Sequence, residues 1–130
     1  MANGEKGGKA AAGRNRERPL MLIEAGKVRM EAELNTTRTA QAVYAALPFE
    51  GKACLWGDEI YFEIPLDLPP ENPQGEAPSG AIAYWPPGKA LCIFFGQTPY
   101  SPVNIVGKLR GNPEEFRKVA EGETVRVTRA

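Results

Sequence analysis

IAYWPPGKALCIFFGQTPYSPVNIVGKL, residues 82 to 109, decides the architecture of this 130-residue chain. Ala81 to Trp85 and Ala90 to Phe95 are apolar at odd and even positions alike. A strand of that kind must be covered on both faces, by core on one side and by a helix, loop or ligand on the other. Pro86-Pro87-Gly88-Lys89 makes the turn between them, because proline presets φ and glycine tolerates the reversal. A third run, Asn104 to Leu109, carries a glycine at 107 and leads toward the C-terminal elements.

Upstream, Leu20 to Ile23 is a short apolar strand followed by a Gly26-Lys27 turn. Val28 to Leu34 alternates strictly, with Val28, Met30, Ala32 and Leu34 on one face and Arg29, Glu31 and Glu33 on the other, the signature of a half-buried antiparallel strand. Asn35-Thr36-Thr37 supplies capping side chains, and Ala40, Val43, Tyr44 and Leu47 recur at helical spacing until Pro48, predicting a helix over about 37–47. A second helix is predicted over about 113–121. Asn112 caps it, Pro113 suits its first position, Glu115 completes a capping box and Gly122 stops it. Glu123 to Thr128 resumes strand alternation.

Ala53 to Ile64 reads as one interrupted strand, with Cys54, Trp56, Ile60, Phe62 and Ile64 on one face and Glu59, Tyr61 and Glu63 on the other. Gly57-Asp58 breaks the pattern and predicts a bulge or tight bend. Leu66 to Ser79, with four prolines and three acids, is a long loop, expected as a solvated connection, with a lid or pocket wall as the alternative.

With 42% hydrophobic residues, the chain holds enough apolar material for one core, hence one domain over 19–130. Basic and acidic residues balance at 16 each, yet residues 1–18 carry five basic and two acidic side chains. The segment 1–18 is therefore expected to be a disordered basic tail and the remainder is mildly acidic. An acidic body lacks the Lys and Arg that neutralise phosphates, so no nucleic-acid partner is expected. No apolar run reaches the ~20 residues of a membrane span, and no secretory signal is evident, so a cytoplasmic location is expected.

The chain has no histidine. That removes the usual general base near neutral pH and every Ser-His or Cys-His nucleophile pair. Cys54 and Cys92 stand in apolar runs and read as small hydrophobes, so neither a metal site nor a disulfide is expected. No cofactor motif is present.

The order strand, strand, helix, several strands, helix, strand is that of a cyclophilin-type barrel. The chain resembles the small bacterial and archaeal cyclophilin-like proteins of unassigned function. The matching motifs are N-T-T-x-T-A-x-A-V-Y-x-A-L-P at Asn35 to Pro48, W-G-D-E-I-Y-F at Trp56 to Phe62, A-Y-W-P-P-G at Ala83 to Gly88, F-F-G-Q-T-P at Phe94 to Pro99 and N-I-V-G-K-L at Asn104 to Leu109. The resemblance implies a mainly β fold with two helices, a closed antiparallel β-barrel capped at its ends.

It also implies a pocket on the outer barrel face. Phe94-Phe95 looks like the aromatic pair of the isomerase pocket, and Ile105 to Lys108 looks like the strand after the pocket histidine. The histidine itself is absent, and the strand similar to Ala53 to Ile64 lacks the arginine that polarises a prolyl amide. Prolyl rotation has a barrier of ~18–20 kcal/mol from lost amide resonance, and lowering it needs a donor aimed at the twisted amide.

Trp56 and Phe94 are expected in the barrel core. Tyr61, Tyr84 and Phe95 are the candidate ligand-binding aromatics, with Gln97 and Thr98 at the pocket rim. Glu59, an acid among aromatics, is the candidate general acid or base, or the group that holds a ligand's cationic or hydroxyl group. The leading expectation is a barrel binding a small molecule or peptide segment. A weak or atypical prolyl isomerase and an interaction module are the alternatives, and the oligomeric state, a homodimer included, stays open.

Overall fold

The computed structural model describes residues 18–96, 99 and 101–130. The expected tail thus lies outside the described residues apart from Arg18. Nine strands form one antiparallel sheet: β1 (Leu20–Ala25), β2 (Val28–Leu34), β3 (Phe49–Lys52), β4 (Cys54–Trp56), β5 (Glu59–Glu63), β6 (Ala81–Trp85), β7 (Ala90–Phe94), β8 (Asn104–Leu109) and β9 (Thr124–Arg129). Their spatial order is β3-β9-β1-β2-β8-β6-β7-β5-β4. The two end strands, β3 and β4, are consecutive in the chain. At Ala53 the backbone leaves the β9 ladder and enters the β5 ladder, which brings the sheet nearly closed into a barrel. Ala53 itself is clamped to the opposite turn: its N–H donates to Glu123 O at 2.8 Å and its carbonyl accepts from Gly122 N at 2.8 Å.

Helix α1 (Arg38–Ala46) starts where the hydroxyl of Thr37 accepts from Ala40 N at 3.1 Å. Asn35 reinforces this start, its Oδ1 accepting from both the N–H and the hydroxyl of Thr37 while its amide donates to Ile105 O. The helix buries Ala40 and Val43 against the barrel. The predicted helix over 113–121 is a shorter 3-10 helix, Pro113–Lys118, capped by Asn112, whose Oδ1 accepts from Glu114 N at 3.0 Å. Its pitch has a packing reason. With three residues per turn, positions i and i+3 align, so Phe116 and Val119 both reach the core although Val119 has already left the helix.

The interior is filled by one apolar cluster that includes Met21, Ile23, Leu34, Val43, Phe49, Ile60, Phe62, Ile82, Leu91, Ile93, Phe116 and Val127. A second, smaller cluster lies on the other side of the sheet: Ala77, Ala81, Ala83, Cys92, Phe94 and Val103, with Tyr61, Trp85 and Ile105 packed against it. The two clusters account for the double-sided apolarity of β6 and β7. β8 fits between them through a register shift at Ile82/Ala83, which puts Val106 inside and Ile105 outside. Gly107 is required where β8 crosses β2: a Cβ there would lie 2.1 Å from the Glu33 carbonyl oxygen.

The loop from Leu66 to Ser79 is largely exposed, as expected of a solvated connection, but it is fastened as a strap at a few points. Leu66 and Leu68 pack against the interior cluster, and Ala77 belongs to the outer one. Glu71 caps α1, its carboxylate accepting from Arg38 N at 3.1 Å, Thr39 N at 2.8 Å and the Thr39 hydroxyl at 2.6 Å. These bonds hold the Glu71 carboxyl below its ordinary range. Asn104, 1% exposed, ties the strap to the barrel. Its Oδ1 accepts from Glu71 N at 2.9 Å, and its amide donates to Pro69 O at 3.0 Å and to the Thr39 hydroxyl at 3.2 Å.

Candidate ligand-binding site

The outer cluster opens at one end into a cleft of about 300 Å³, lined among the described residues by Trp56, Glu59, Tyr61, Trp85, Pro99, Ser101 and Val103. Its placement follows from one turn. Of the two alternatives expected at Gly57-Asp58 the structure has the tight bend, and it reverses the chain: these are the two residues of the β4–β5 hairpin loop. Gly57 has φ +54 and Asp58 is not in the positive region, the φ pattern of a type II′ turn, whose twist suits flanking strands. In such a hairpin the residues on either side of the loop face each other. Trp56 therefore pairs with Glu59 and Cys54 with Tyr61, all on the outer face.

This corrects the expected position of Trp56. Counted along one continuous strand, Trp56 and Glu59 fall on opposite faces; across a two-residue turn they share one. Trp56 is 49% exposed and forms a wall of the cleft. The same alternation splits the Phe94-Phe95 pair in the sense opposite to expectation. Phe94, paired with Glu59 in register, lies in the outer cluster beneath the cleft. Phe95 turns inward, with the Arg117 guanidinium 5.1 Å from its ring centroid.

Tyr84 also departs from expectation. It is fully buried in the interior, where its hydroxyl donates to Leu66 O at 2.7 Å and accepts from Leu68 N at 3.0 Å. A buried tyrosine needs a partner for its hydroxyl, and the strap provides it. Trp85, the next residue, faces outward, and its indole N–H donates to the Ser101 hydroxyl at 2.5 Å. Gln97 and Thr98 lie outside the described residues. Of the expected ligand-binding and catalytic residues, the cleft thus brings together Glu59 and Tyr61, and it adds Trp56, Trp85 and Val103. Counting face parity backward through a glycine-led two-residue turn is the signal that would have found Trp56.

Glu59 sits at the floor of the cleft, 6% exposed. The Cys92 thiol lies beside its carboxylate and donates to Ala90 O at 3.9 Å. Burial pushes the Glu59 carboxyl above its ordinary range, and the neighbouring Cys92 thiol opposes that shift only in part. Cys92 is pushed well above the usual thiol range by burial and by Glu59, so it stays protonated. Burial likewise raises the Tyr61 hydroxyl. Tyr61 and Trp85 meet edge to face, centroids 6.3 Å apart at 78°, so their rings form a corner of the cleft. Val103 is fixed as a wall by paired backbone bonds with Gln74, at 2.8 and 3.0 Å.

Beside the cleft, Arg117 holds the hairpin loop, donating to Asp58 Oδ1 at 2.6 Å, to Phe95 O at 3.3 Å and to Glu114. The Arg117 guanidinium keeps the Asp58 carboxyl below its ordinary range. Both cysteines are free thiols. Among the described residues no three metal-ligating side chains cluster, and no helix is long and apolar enough to cross a membrane.

A nearly closed antiparallel barrel with a helix and a 3-10 helix packed on it, and an aromatic cleft on its outer face, defines a cyclophilin-like barrel. A family model described as cyclophilin-like matches residues 19–128, and the chain belongs to that family. The hypothetical protein AF2241 from Archaeoglobus fulgidus, known from a solution structure, is similar over 92% of this chain and 100% of its own, with 34% identity and a TM-score of 0.75. McbB, solved in complex with tryptophan, shares the fold at 18% identity and a TM-score of 0.70, over 84% of this chain and 44% of that chain. No curated protein matches the chain.

Proposed function

We propose that this chain binds a small molecule, or a side-chain-sized segment of a peptide, in the cleft over Glu59. The observation that carries this reading is a buried acid, with a neutral thiol beside it, at the floor of an aromatic-walled cavity. Burying a carboxyl in apolar surroundings costs free energy unless its hydrogen-bonding capacity is met, and the protein meets little of it. Ligand sites characteristically combine apolar walls with a few converging polar groups, and 300 Å³ is at the small end of their range.

Binding is favoured over prolyl isomerisation because the described lining contains no arginine, lysine or histidine. A pocket that receives a proline with no cation to polarise its amide offers little that strengthens in the transition state, so it binds without accelerating rotation much.

Both tryptophans of the chain, Trp56 and Trp85, line the cleft, so an entering ligand must alter the emission of the whole tryptophan population. The test is a fluorescence and thermal-shift screen of the full chain against neutral, anionic and cationic metabolites and short peptides, tryptophan among them. A true ligand at one hundred times its Kd stabilises by about 2.7 kcal/mol, a rise of roughly 10 °C at about 4 °C per kcal/mol for a domain of this size. A panel in which no compound gives saturable change in both readouts refutes the proposal.

A further inference from the structure

Resting on that reading of the cleft, we infer that its ligand carries a positive charge, and that the preferred head group is an alkylated ammonium held between the rings of Trp56, Tyr61 and Trp85 and the carboxylate of Glu59. Aromatic faces carry the negative lobe of the ring quadrupole and attract cations, most strongly where water is excluded. Two of the three rings, Tyr61 and Trp85, stand nearly perpendicular at 6.3 Å, so they present two different surfaces to one guest. Trp56, the cross-strand partner of Glu59, brings the third ring to the same face as the acid.

Charge selects among ligand classes. An anion would meet Glu59 at the floor with no basic side chain in the described lining to compensate. A neutral apolar guest would be served equally well by an apolar floor. A carboxylate can accept at about four lone-pair positions; the Cys92 thiol beside it is neutral and donates to Ala90 O, which leaves the acid able to neutralise a guest.

The degree of alkylation follows from donor counting. A primary ammonium brings three N–H donors, each needing an acceptor once dehydrated. The polar side-chain atoms of the described lining are the Glu59 carboxylate, the Tyr61 hydroxyl, the Trp56 and Trp85 indole N–H groups and the Ser101 hydroxyl, which already accepts from Trp85. Indole N–H groups only donate. An alkylated ammonium spreads its charge over methyl groups and needs few acceptors or none. It matches walls made of rings with a single acid below.

The reading also separates a cation from a carbonyl ligand that would take a proton from neutral Glu59. A cation stabilises the ionised carboxylate, so its binding tightens as pH rises through the titration of Glu59; a carbonyl held by the protonated acid is released over the same range.

The experiment is a tryptophan-fluorescence titration of the full chain with choline, with its neutral isostere 3,3-dimethyl-1-butanol, and with a short peptide bearing trimethyllysine, between pH 5 and 8. The expected result is saturable binding of choline or the peptide at least tenfold tighter than the isostere, tightening with pH. Tighter binding of the peptide than of choline assigns the head group to a peptide segment, and the reverse assigns it to a free metabolite. Glu59→Gln, which keeps the shape of the floor, is expected to abolish the preference for charge. Trp56→Ala, at an exposed position, serves as the second variant and is expected to weaken the cation at least tenfold, read from Trp85, with the melting temperature held within a few degrees.

Equal affinity for choline and the isostere, binding that weakens as pH rises, or indifference to both substitutions overturns the inference and leaves the ligand-binding reading standing. The cation and the peptide both failing, while another compound of the broader panel binds, has the same meaning. Only silence across the whole panel removes both.

Discussion

Asn104→Ala tests whether the strap, the helix and the barrel strand that borders the cleft are fastened through one side chain. Asn104 is 1% exposed and makes three hydrogen bonds, to Glu71 N, Pro69 O and the Thr39 hydroxyl. Each intramolecular hydrogen bond contributes about 1 kcal/mol net, and partners left buried without water cost more. The substitution should therefore destabilise the protein by about 3 kcal/mol, a large share of the 5–15 kcal/mol that holds a typical domain together.

At about 4 °C per kcal/mol, the melting temperature should fall by roughly 12 °C. Urea unfolding followed by circular dichroism is the assay, with the slope unchanged and the midpoint lowered. Because Glu71 caps α1 from the same strap, hydrogen exchange at the Arg38 and Thr39 amides should accelerate more than in β1 or β9. A loss below about 1 kcal/mol, or uniform acceleration across the sheet, would refute the idea that Asn104 fastens these elements.

Glu59→Gln should raise the melting temperature at pH 7 by an amount that shrinks toward zero as pH falls. Burial raises the folded-state pKa of Glu59 above its unfolded value, so the native state binds more protons in that window and wild-type stability falls as pH rises through it. Thermal melts of both proteins from pH 4 to 8 read this directly; a difference that does not vary with pH would contradict it. Tyr84→Phe removes a hydroxyl that donates to Leu66 O and accepts from Leu68 N, and should cost about 1–3 kcal/mol in urea unfolding. The same variant should bind cleft ligands as wild type does, and selective loss of binding would place Tyr84 in the site after all.

Much of the architecture was legible along the chain because it rests on local signals. The alternation of Val28 to Leu34 and the double-sided apolarity of β6 and β7 state local demands for burial, the Asn35-Thr36-Thr37 cap states one for hydrogen bonding, and the structure meets all three. β3 escaped notice because Phe49–Lys52 is short and carries a glycine, with Phe49 as its one fully buried residue. The helix at Pro113 was legible by its N-cap, Asn112, but neither its pitch nor its end was, since three residues per turn bring Phe116 and Val119 to one core and the helix stops at Lys118, ahead of Gly122.

The cleft was legible in part. Glu59 and Tyr61 were readable as a pair because they lie two apart on one strand, a relation the backbone enforces by itself. Trp56, Tyr84 and Phe95 were not, because inside and outside are properties of a closed sheet. A residue's face depends on every turn between it and the reference, and reversing the chain at Gly57-Asp58 moves Trp56 from the core to the cleft. Composition and periodicity determined that most of these side chains would leave water; the closure of the barrel decided which of them would face the cleft.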